Sequence, residues 1–145
     1  MQPNGMLLGF LTLFVGLLAV QGSVPRGLVS EWRLTGLEMA GHVFPEADVP
    51  KLTVTIDAAG RWLDSDGAKA TLTVDDSKTP RWVDISYTAG PNQSGRRQTF
   101  GIYELAGNRL RIAFAQSGPG ASRPARFETK KGSDVSVLTL QKVSK

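Results

Sequence analysis

The chain has 145 residues, a formal net charge of +4 and no cysteine, which points to one domain held together by packing, without disulfides or thiol chemistry. Its 17 Lys and Arg residues are spread along strands and turns beyond residue 22, which argues against a nucleic-acid surface. One histidine, His42, is too little for a zinc site and a weak basis for a Ser-His-Asp arrangement.

The first 22 residues carry no charged side chain, and residues 6–20, "MLLGFLTLFVGLLAV", form a 15-residue apolar run. That run is short for a bilayer span and matches the apolar region of a secretory signal. Small or modest residues at Val20-Gln21-Gly22 place cleavage after Gly22. Residues 1–22 are therefore read as a signal peptide and 23–145 as the exported, extracytoplasmic domain. A retained anchor is the alternative, and the membrane would then be met only through this segment.

Beyond the signal, short apolar runs alternate with polar residues, and turn-forming clusters separate them. In "KLTVTID", Leu52, Val54 and Ile56 share one face. "DSDG", residues 64–67, resembles part of a calcium loop but lacks the third spaced oxygen ligand and a closing glutamate, so it reads as a hairpin turn. Leu72 and Val74 face one way in the next strand, and Val83, Ile85 and Tyr87 do so in "TPRWVDISY". The opposite face of that segment carries Trp82, Asp84 and Ser86.

The hairpin "RQTFGIYELAGNRLRIAFA" has the clearest register. A two-residue turn at Gly107-Asn108 pairs Leu105 with Leu110, Tyr103 with Ile112, Gly101 with Phe114 and Glu104 with Arg111. Glycine at 101 leaves room for the Phe114 ring. A Gly/Ser/Pro-rich loop over residues 116–124 follows, and "DVSVLTLQK" supplies the last strand, with Ser136, Leu138 and Leu140 on one face. Eight strands and a short helical turn between residues 45 and 50 predict an all-β antiparallel barrel, with a two-sheet sandwich as the alternative.

Several of these segments together resemble an uncharacterised lipocalin-like bacterial domain family found chiefly in planctomycetes. The resemblance rests on Lys78-Thr79-Pro80, Asp84-Ile85, the run from Gly101 to Leu105, and Arg123-Pro124-Ala125-Arg126-Phe127, and it spans about residues 28–142. Two positions depart from the family pattern: Ser30 stands where glycine is usual, and Ala113 where a cysteine is frequent. The resemblance implies a lipocalin-like barrel and no known reaction. It also implies a tryptophan of the entry strand, Trp32, stacked under a late arginine, Arg123 or Arg126, as the closure of one barrel end.

Asp84 is an acid on a strand, and burial would demand a cationic partner. Arg123, in the Arg-Pro motif, is such a partner, making an Asp84–Arg123 clamp between loop and barrel the favoured reading; a solvated acid and a ligand-binding or catalytic group are the alternatives. Tyr87, Tyr103 and Phe114 are the candidate interior or ligand-facing residues. No catalytic, metal or cofactor site follows from the residues, and the chain is read as a monomeric binding module, not an enzyme. Its ligand would be a small apolar or amphipathic molecule; alternatively the core is closed and the module meets a protein partner of the cell envelope.

Overall fold

The computed structural model describes residues 24–90, 98–115 and 122–144. The segment read as a signal, residues 1–22, and most of the 116–124 loop lie outside these residues. Nine strands follow one another: β1 Ser30–Met39, β2 His42–Val43, β3 Thr53–Ile56, β4 Arg61–Asp64, β5 Lys69–Asp75, β6 Arg81–Ala89, β7 Gln98–Ala106, β8 Arg109–Ala115 and β9 Val135–Lys142. Short 3-10 turns occupy Arg26–Leu28 and Glu46–Asp48.

From β3 to β9 each strand pairs antiparallel with the next, β3 pairs with β1, and β1 pairs with β9. Eight strands thus close into a barrel, which removes the open sheet edges that invite association. The ninth is β2, which pairs only with Glu38 and Met39 at the end of β1. It places His42 in a two-residue strand. A bulge between Leu34 and Gly36 shifts the β1–β9 register, and a second lies at Lys69 and Ala70.

Alternation sorts the side chains. Val54, Ile56, Leu72, Val83, Ile85, Leu110, Ile112 and Leu140 point inward and form one core with Trp32, Trp62 and Tyr103. Fully burying such a side chain contributes about 1.5–3 kcal/mol each. The hairpin register matches the sequence reading in all four pairs, from Leu105 with Leu110 to Gly101 with Phe114. At Gly101 a Cβ would come within 2.6 Å of the Ala113 carbonyl oxygen and 3.2 Å of the Phe114 Cβ, so it is the neighbouring backbone, with the Phe114 Cβ and not its ring, that needs the glycine.

A second, smaller cluster lies outside the barrel. Ile102, Ala113 and Val137 come from adjacent outward positions of β7, β8 and β9, and Phe127 and Val135 pack against them. The segment 122–130 therefore runs as a strap across this wall.

Candidate functional site

The barrel ends differ. At the near end the Arg26–Leu28 turn lies against the barrel, and the indole nitrogen of Trp32 donates to the Leu28 carbonyl at 3.0 Å. Trp32 is fully buried and Leu28 nearly so. A cation does stack on this tryptophan, but it is Lys142, with its ammonium 5.6 Å from the ring centre. The Trp32–Arg126 closure is thus corrected. Lys142 is the register partner of Trp32 across β1 and β9, whereas Arg126 sits on the outer strap, 81% exposed, opposite Glu128 at 3.7 Å. Arg123, the other arginine considered for this stack, also lies on the strap side.

At the far end several inward positions are only partly covered, as Val74 and Leu105 also are toward the near end. Tyr87, Phe114, Leu138 and Leu52 are half-buried and pack on the upper side of the core. Thr99, two residues before Gly101 on β7 and opposite Ile85, is 5% exposed. Its Oγ1 has no hydrogen-bond partner among the described residues. Such an atom carries an uncompensated desolvation cost of about 1–3 kcal/mol. Burial raises the Tyr87 phenol above its ordinary value, and the nearby Asp64 carboxylate adds to the shift.

Asp64 also organises the turn that begins at this rim. Its Oδ1 accepts from the backbone N–H groups of Asp66 and Ala68, both at 3.0 Å, and its Oδ2 accepts from the Trp62 indole at 3.5 Å. The "DSDG" segment is thus a hairpin turn closed on its first aspartate.

Asp84 and Arg123 meet on the outer wall. The guanidinium donates to Asp84 Oδ1 at 2.6 Å and to the Gly101 carbonyl at 2.7 Å, and it lies 4.1 Å from the Trp82 ring centre and 5.5 Å from that of Phe100. The two side chains are 19% and 24% exposed. A charge-assisted pair so sheltered and so fully supplied with partners fastens the strap to β6 and β7. Farther along, Arg111 reaches the Phe127 carbonyl at 3.3 Å with its guanidinium over the Phe127 ring. Glu38 Oε2 then accepts from the Thr129 backbone at 2.9 Å and from its hydroxyl at 2.8 Å.

The proposed interior residues divide between the ends. Tyr87 and Phe114 belong to the far end, while Tyr103 is 2% exposed and stands nearer the other rim. Sequence reasoning missed Thr99, Lys142 and the Glu38–Thr129 contact. Thr99 shares the inward parity of Gly101 and Tyr103, so extending the hairpin pattern by one step would have found it. The Glu38–Thr129 contact spans 91 positions and leaves no local trace.

His42 is exposed, and its ring meets Phe44 edge-on at 5.0 Å. Among the described residues no group of three or more His, Asp or Glu side chains is placed to hold a metal ion, and no helix is long and apolar enough to cross a membrane. Comparison with protein-family models, curated proteins and solved structures found no match to this chain.

Proposed function

We propose that this chain is an exported binding module that takes one small apolar or amphipathic molecule at the far end of the barrel. The observation that carries the reading is Thr99 Oγ1, a buried hydroxyl without a partner among the described residues, set among half-buried apolar side chains. Tyr87, Phe114 and Leu138 supply apolar contact, and the Thr99 hydroxyl orients a polar group of the ligand. Export rests on the uncharged apolar run of residues 6–20, and the closure of β1 on β9 supports the monomer reading.

A second reading has its own support. An eight-stranded barrel is only just wide enough for one small ligand, and here Trp32, Ile56, Ile85, Leu110, Leu140 and Val54 are all at most 2% exposed. A filled core favours a module that acts through its outer surface on a protein of the cell envelope.

Native mass spectrometry of the freshly purified exported protein, with titration of a fluorescent fatty-acid analogue, separates the two. Saturable one-to-one uptake supports the far-end site. A bare protein mass together with a titration that never saturates sinks it in favour of the filled core. Export is checked by the N-terminal residue of the secreted protein: Ser23 is expected, and a retained Met1 would establish an anchor.

A further inference from the structure

A pocket of about 570 Å³ lies on the outer rim of the barrel, between the start of β6, the end of β7 and the strap. Lys78, Arg81 and Arg126 surround it, and Pro80, Leu105 and Phe127 give it apolar walls. Glu104 is the acid in the lining, and it already faces Arg111 at 3.7 Å. Arg126 shares Glu128 across a similar, exposed 3.7 Å gap, and the Lys78 ammonium rests over the Trp82 ring at 4.8 Å. The Arg81 side chain has no ion pair or hydrogen bond with another described residue.

Tyr103 is the second, independent observation. The residue is 2% exposed, lines this pocket, and makes no hydrogen bond to a described residue through its hydroxyl. The hydroxyl lies within electrostatic reach of Arg81 and of Asp76, which places its polar tip at the rim. Burial raises its pKa above the ordinary value, Arg81 opposes that shift and Asp76 adds to it, so at neutral pH the group is a donor. The hydroxyl is not a buried atom lacking a partner: it meets solvent at the rim and is free to donate into the pocket.

We infer that this pocket binds a small organic anion, a carboxylate or phosphate ester carried on a compact apolar body. One anionic oxygen accepts from the Tyr103 hydroxyl and pairs with the Arg81 guanidinium, while the apolar body lies against Pro80 and Phe127. A planar guanidinium suits both oxyanions, and the volume falls within the usual range for small-ligand sites. The site is on the outer rim, so it is separate from the far-end site proposed above.

Calorimetric titration of the exported protein with benzoate, phenyl phosphate and benzyl alcohol tests the inference. Saturable, salt-sensitive binding of at least one anion is expected, with little binding of the neutral alcohol, and the tighter of the two anions identifies the headgroup. Arg81 is exposed, so Arg81→Gln should leave the melting temperature unchanged and weaken the anion by about tenfold or more. Tyr103→Phe should weaken it less, and Thr99→Val should leave it unaltered. Equal binding of alcohol and anions, no saturable anion binding, or full affinity in Arg81→Gln would overturn the site.

Discussion

At the near end of the barrel the Trp32 indole nitrogen is buried and satisfied by the Leu28 carbonyl, whereas at the far end the Thr99 hydroxyl is buried and has no partner among the described residues. The same alternating pattern produces both ends. What differs is whether a flanking segment brings a complementary polar group. The Arg26–Leu28 turn does so at the near end, making that end a stability element. The far end instead holds an unmet hydrogen-bond demand beside half-buried Tyr87 and Phe114, a combination suited to a ligand.

Removing the near-end plug should have the largest effect. Trp32→Ala deletes a fully buried indole and its hydrogen bond, and should cost about 3–5 kcal/mol in chemical denaturation. A loss near zero would mean that the near end is not sealed by this residue, and the contrast between the ends would fall with it.

The strap belongs to neither end and serves as a control. Asp84→Ala or Arg123→Ala should each destabilise by about 1–3 kcal/mol, less than a wholly buried pair because about a fifth of each side chain still meets solvent. The double-mutant cycle should show a coupling of about 1–2 kcal/mol. Ligand uptake at the far end should survive these changes. Strictly additive losses would remove the clamp.

Thr99→Val sharpens the contrast from the other side. It keeps the shape and deletes the unmet hydroxyl, so the protein should gain about 1 kcal/mol in stability while losing affinity for an amphipathic ligand. A marked loss of stability would show that the hydroxyl already has a structural partner.

The smallest effect is in alkaline solution. The chain has two tyrosines, and Tyr87 and Tyr103 report on opposite parts of the barrel. Both phenols are raised above about 10, in each case chiefly by burial. A folded-state pKa above the unfolded one means that the stabilisation is complete below pH 10 and is lost as pH climbs through the folded values. Phenolate absorbance should therefore appear later in the native protein than in denaturant. Tyr87→Phe should leave only the Tyr103 titration and reduce the alkaline loss of stability.

Alternation, turn chemistry and the Gly107-Asn108 hairpin were enough to predict an antiparallel barrel and the pairing of β7 with β8, because these depend on neighbours in sequence. The Asp84–Arg123 contact, 39 positions apart, could be anticipated because a strand acid under a strap needs a cation and the Arg-Pro motif offers one. Lys142 was harder to anticipate. Its place over Trp32 follows from the β1–β9 register, which a bulge at Leu34 and Gly36 shifts in a way that no local pattern announces. The strand β2 was missed for a similar reason, since two exposed residues carry no periodic signal.

The most direct measurement is an amide chemical-shift map of the protein during titration with the fatty-acid analogue. The predicted result is saturating shifts at Tyr87, Thr99, Phe114 and Leu138, with Leu28 and Trp32 unmoved. Shifts centred on Leu28 and Trp32, or no saturating shift anywhere in the barrel, would contradict the account.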